Sequence, residues 1–165
     1  MLSTWILAIG HVVSAMCWLG GGIVFAFVVA PALSKLSPAS SGEFLVKVVP
    51  SVVRFVQVFA GLTILFGFLL LYNMGGSSLL TSSSFYSIDL SLGITFALAA
   101  FVLAEFVSAP LQLKAVHMIR DMMASGAHQP PAAFPRTLRR AGLSAMATAV
   151  LLILTSIFMI GAGFY

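Results

Sequence analysis

Charge is what this chain has least of. Asp, Glu, Lys and Arg make up 7% of its 165 residues, and four of them are acidic, where soluble domains carry roughly a quarter. With 61% hydrophobic residues and a mean hydropathy of +1.13, a soluble helical globule is strongly disfavoured. A single cysteine, Cys17, rules out an internal disulfide, and neither CxxC nor zinc-ligand spacing occurs. Ser/His/Asp sets, phosphate-cradling loops and paired carboxylates are also missing, which leaves hydrolytic and phosphoryl-transfer chemistry without support. No basic stretch precedes the first apolar run, and that run is too long for a signal peptide, so it is expected to be a retained helix.

What the chain has is apolar length. Four runs, 4–29, 52–74, 90–113 and 141–164, each reach the ~20 residues that a membrane-crossing helix needs. Lys35, Lys47 and Arg54 fall at the junction of the first two runs, and Lys114, Arg120, Arg136, Arg139 and Arg140 at that of the last two. The connection 75–89 and both tails hold no Lys or Arg. Lys/Arg excess marks the cytoplasmic side of short loops. The pattern predicts a single-domain, all-α bundle of four transmembrane helices in the plasma membrane, with both termini outside. The pI of 9.7 then speaks for anionic headgroups rather than nucleic acid. The connection 75–89 reads as exposed, with Phe85 and Tyr86 at the interface, and 125–135 as a hinge broken by Pro130, Pro131 and Pro135.

A faint repeat runs through the chain. Ala30-Pro31 is followed by Lys35, and Ala109-Pro110 by Lys114, an offset of 79 residues (109 − 30). Pro50 precedes Arg54 as Pro135 precedes Arg139, an offset of 85 (135 − 50). Both halves run in the same sense, which predicts two tandem, parallel helix hairpins with a central site between them. Small residues, Gly10, Ser14 and Gly21 in the first run and Gly93, Ala97, Ala100 and Ala104 in the third, predict close helix contact.

Two intramembrane polar residues stand out. His11 shares a helix face with Trp18 and Gly22, and an ionisable group at membrane depth needs a partner. Tyr72, Met74 and Met159 are expected at its level, with Met16 and Cys17 a turn deeper. Imidazole with thioether suits haem iron, and with thiolate added suits Cu(I). The plainer alternative is a histidine bonded to a neighbouring carbonyl or hydroxyl. Glu105 is the one carboxylate deep in a run. Phe101, Glu105, Ser108 and Gln112 form a stripe on the third helix, matched by Arg54, Gln57 and Gly61 on the second and by Arg139 and Ser144 on the fourth. A bare carboxylate in lipid is too costly to stay charged. Glu105 is therefore expected to be neutral, or paired with Arg54 or Arg139, as a structural pair or a proton or cation relay. His117 and His128 are expected in solvent.

The stretch His11-Val12-Val13-Ser14-Ala15-Met16-Cys17-Trp18-Leu19-Gly20-Gly21 resembles the first helix of the CopD-like membrane superfamily, which includes copper-resistance protein D and the HemJ-type protoporphyrinogen oxidases. The 27–38 segment and Arg54-Phe55 are similar too, most closely to an uncharacterised four-helix branch of that group. The resemblance implies a haem b-binding role for His11. The lysine that those relatives carry early in their third helix has no counterpart in Asp89-Leu90-Ser91-Leu92-Gly93, which disfavours porphyrin oxidation and copper import. The expectation is a haem b-binding or accessory subunit of a membrane redox assembly, not an enzyme on its own, joined to other membrane subunits or to further copies of itself. Copper transport and a cofactor-free structural subunit are the alternatives.

Overall fold

A computed structural model describes residues 2–33, 35–76, 78–81, 84–127 and 129–164. His128 lies outside them, as do Ser34, Ser77, Ser82 and Ser83. The elements are α1 (Leu2–Val24), a π-helical segment (Phe25–Val29), α2 (Ala30–Leu33), α3 (Pro38–Lys47), α4 (Val49–Met74), α5 (Ser78–Thr81), α6 (Phe85–Leu103), a second π-helical segment (Ala104–Ser108), α7 (Ala109–Ser125) and α8 (Phe134–Ala162). Four rods result, each long and apolar enough to cross a membrane. The chain is a multi-pass, all-α membrane protein.

The rods outrun the apolar runs. The first and third pass straight through Pro31 and Pro110 to reach Leu33 and Ser125. A proline inside a helix lacks its N–H and collides with the carbonyl four residues back. Here a widened turn stands in front of each. The Ala30 N–H bonds the Phe25 carbonyl and the Ala109 N–H bonds the Ala104 carbonyl, five residues back in both cases. Such insertions are rare and frequent at functional sites. The third rod ends at Gly126, whose φ of 68° suits the left-handed cap, with its N–H on the Met122 and Met123 carbonyls. Pro135 does not break a helix as the sequence suggested. It sits in the first turn of α8, where a missing N–H costs nothing.

Each hairpin is closed by its own pair of rods. α1 packs along α4 and α6 along α8, and the hairpins meet where α1 touches α8 and α4 touches α7. The seams are made of small residues. A Cβ on Gly10 would lie 3.1 Å from Phe66, and one on Gly93 would lie 3.1 Å from Met159. Ala60, Ala97, Ala100, Ala104, Ala109 and Ala149 are all buried. Lipid offers no hydrophobic drive between helices, so close backbone approach is what holds such seams. Asn73 Nδ2 donates to Thr4 Oγ1 at 2.8 Å and ties the far end of the first hairpin.

At the end that carries the Lys and Arg residues, called the basic end below, Leu45, Val49, Val53, Ala109, Val116 and Ile119 pack into one cluster. It joins the short α3 to α4 and α7, an extension that the apolar runs alone did not signal. In the middle, Trp18, Ala60, Ala100 and Leu152 form a second cluster. The outer surface carries Trp5, Ile9, Val12, Phe68, Phe106, Val150 and Ile157, all exposed and suited to lipid contact.

Candidate functional site

His11 is half-buried in a notch between α1 and α4. A Cβ on Gly67 would stand 3.0 Å from the His11 Cε1, so only glycine leaves the ring its room there. The Nδ1 lies 2.9 Å from the Thr63 carbonyl oxygen. A carbonyl only accepts, so the bonding proton sits on Nδ1, and in the neutral ring Nε2 then carries the lone pair. The Thr63 hydroxyl does not compete, because it donates back to the Phe59 carbonyl at 2.7 Å. Nε2 takes no partner among the described residues and is not enclosed by them. A ring fixed through Nδ1 on a backbone carbonyl, with Nε2 open, is the arrangement that metal-ligating histidines adopt.

The partners expected around His11 are placed elsewhere. Met159 packs over Gly93 in the second hairpin, its sulfur 3.2 Å from where a glycine Cβ would be. Tyr72 is 84% exposed and Met74 half-exposed at the far end of α4. Met74 shares a face with Gly67 but stands seven residues on, about 10 Å along the helix at 1.5 Å per residue. That is too far for one ion to be ligated by both it and the neighbour of Gly67. Met16 faces outward and Cys17 is a free, half-buried thiol. Among the described residues no three His, Cys, Asp or Glu side chains converge.

Trp18 and Gly22, about two and three turns further along the His11 face, line something else. Between the four rods lies a chamber of about 50 Å³, bounded by Trp18, Gly22, Gln57, Glu105, Ser108, Gln112, Thr148 and Leu152 among others. Trp18 is 2% exposed, its ring set edge-on to Phe101 with centroids 6.4 Å apart. Glu105 comes from the second π-helical segment, and Gln57 Nε2 donates to its Oε2 at 2.7 Å. Ser108 and Thr148 bring hydroxyl oxygens 3.4 Å apart, and the Thr148 hydroxyl also donates to the Ser144 carbonyl at 3.0 Å.

Of the four residues expected in an intramembrane network, Glu105 and Gln57 are therefore joined, while Arg54 and Arg139 are exposed. The correction has a simple cause. Both arginines stand in the opening turns of their helices, where a long side chain reaches water at the basic end and leaves its stem on the bundle. Among the described residues the ion pair that forms is Lys47 with Glu43, on the surface of α3. His117 is exposed, as expected for solvent.

The chamber is far smaller than the ~300–1,000 Å³ of a ligand pocket, so a haem does not fit inside it. An open groove of about 460 Å³ lies between α1 and α4, lined by Gly20, Gly21, Val24, Phe25, Val52 and Phe55 among others, and His11 does not line it. His11 alone fits haem, as a ligand from one side. No family model, curated protein or solved structure matches this chain.

Proposed function

We propose that this chain is a subunit of a membrane redox assembly in which His11 ligates a haem b held between chains. The observation that carries the reading is the Nδ1 bond to the Thr63 carbonyl beside Gly67, which orients the ring and leaves Nε2 free at the edge of the first hairpin. Apolar surface around it supports an occupant from outside the chain: Ile9, Val12 and Val13 are each about half-exposed or more. The likeness of the 11–21 segment to the first helix of CopD-like proteins supports the same residue. A bound haem would supply one-electron exchange at its iron. His11 would contribute a ligating nitrogen, and the Thr63 carbonyl and Gly67 would set its tautomer and orientation. By the distribution of Lys and Arg, the basic end faces the cytoplasm and both termini lie outside, in a plasma membrane.

An absorption spectrum of the protein purified in mild detergent tests this. A Soret band is expected in the oligomeric fraction, lost in His11→Ala and kept in Met159→Leu. A band that survives His11→Ala overturns the ligand assignment. Colourless protein after expression with haem supplied overturns the haem reading, and copper found by metal analysis would move it to copper handling.

A further inference from the structure

The chamber holds two polar atoms that the fold leaves unanswered. Glu105 Oε2 takes the Gln57 amide, but among the described residues Oε1 is buried with no partner, and the Trp18 Nε1–H is buried with none either. One is an acceptor and the other a donor, and both side chains line the same space of about 50 Å³. A water needs roughly 15 Å³ by this measure and two to four polar partners. The chamber has room for about three, with Trp18 to donate, Glu105 Oε1 to accept, and Ser108 and Thr148 to complete the set.

The two ends of the chamber differ. Away from the basic end, Trp18 packs on Ala60, Ala100 and Leu152, two of which have no exposed surface at all. The next polar residues on that side, Ser14 and Thr63, are buried a turn beyond this layer and do not line the chamber. Toward the basic end, Ser108 and Gln112 follow Glu105 at one-turn steps on the same rod and line the chamber, and Lys114 just beyond is exposed. A line of polar side chains thus runs from the carboxyl toward the basic end.

Glu105 is also electrostatically alone. The nearest titratable or charged side chains along each rod are Cys17 and His11 on α1, Arg54 on α4, Lys114 on α7 and Arg139 on α8, and none of them lines the chamber. A carboxyl surrounded this way changes charge only by taking or releasing a proton. We propose that Glu105 is an intramembrane proton-binding site, loaded through water from the basic end and sealed at the other end by Trp18. The step is a proton relayed from solvent at the basic end, each chamber water accepting one proton as it passes another on, with the last moving to Oε1 and converting carboxylate to acid; release reverses it. Neither His11 nor a haem takes part, and His11 does not line the chamber.

The chain has two tryptophans, so Trp5→Phe leaves Trp18 as the reporter beside the carboxyl. In proteoliposomes the Trp18 emission is expected to follow pH with a one-proton profile that vanishes in Glu105→Gln. An infrared carboxyl band, lost in the same variant, is expected to shift in heavy water. Flat emission together with a band that neither titrates nor exchanges overturns the proposal. A response to Na⁺ at constant pH makes it a metal-cation site and overturns it equally. After a jump in external pH, the molecules whose basic end faces outward, scored by amine labelling of Lys35 and Lys47, are expected to respond at once and the rest only after a protonophore. An immediate response of the whole population overturns the seal.

Discussion

Moving the third rod back by 79 residues lays its π-helical segment, 104–108, on that of the first, 25–29, with Pro110 on Pro31 and Lys114 on Lys35. The second and fourth rods correspond at 85, and there Thr63 and Thr148 are both buried and both bond the carbonyl four residues back. The backbone device is therefore common to the hairpins. The chemistry is not. Glu105 answers to Ala26, His11 to Leu90, Trp18 to Ala97, Gln57 to Gly142 and Gly67 to Leu152. A wide turn was needed at both prolines for steric reasons, but only one of the two turns carries an acid. Apart from the paired Thr63 and Thr148, each polar site is assembled by residues with no counterpart in the other half, so the hairpins are alike in frame and distinct in role.

Trp18 gives the sharpest way to break that comparison. It fills the centre of the bundle against two alanines, and truncating a buried Trp costs about 3–5 kcal/mol. Trp18→Ala is expected to give the largest fall in detergent melting temperature, while Ala97→Gly at the corresponding place in the second hairpin falls by much less. Equal losses would mean that the centre is not built asymmetrically around the indole.

Glu105 comes next. Glu105→Ala strands the Gln57 amide in the interior, and an unanswered buried donor costs about 1–3 kcal/mol. Glu105→Gln keeps an oxygen for that amide and is expected to melt much closer to the parent. Similar, large losses for both variants would show that a charged carboxylate holds the rods together, contrary to the amide bond described above. The reverse exchange, Ala26→Glu, tests the other wide turn: with no partner at Gly142 to match Gln57, it is expected to destabilise.

A smaller effect is expected at Gly67. A methyl there stands 3.0 Å from Cε1 and 3.1 Å from Nδ1 of His11, so the ring must shift off the Thr63 carbonyl. Overpacking of this kind costs about 1–3 kcal/mol. Gly67→Ala should lower stability toward the small end of that range and weaken any Soret band, though His11 itself is intact. A normal spectrum in Gly67→Ala would separate ligation from the notch.

The sequence announced the four rods through run length and their pairing through the Ala-Pro repeat, because both are one-dimensional signals. Trp18 and Gly22 share the helical phase of His11, yet phase does not say what a face packs against: they line the chamber further along, while His11 turns to α4. The π-helical segments were hidden, since a proline inside an apolar run reads equally as an end or a bulge. What distinguishes the two is tertiary packing beyond Pro31 and Pro110, where α3 and α7 form their own cluster. The pairing of Glu105 was ambiguous for a related reason. Arg54 and Gln57 are one turn apart on α4, and only their height against the basic end decides which of them reaches the carboxyl and which reaches water.

Gly142 offers the smallest effect and the cleanest control on the halves. It stands where Gln57 stands in the first hairpin, inside α8, and a Cβ there meets nothing within 4 Å. Glycine in a helix interior is worse than alanine by about 0.5–1 kcal/mol because it has more backbone freedom to lose. Gly142→Ala is therefore expected to raise the melting temperature slightly, with the Trp18 emission and any haem spectrum unchanged. Gly61, equally open on α4, is expected to behave the same way. If Gly142→Ala instead lowers stability while Gly61→Ala raises it, then the missing partner at 142 is a contact between copies of the chain, and the second hairpin rather than the first is the one that faces a neighbour.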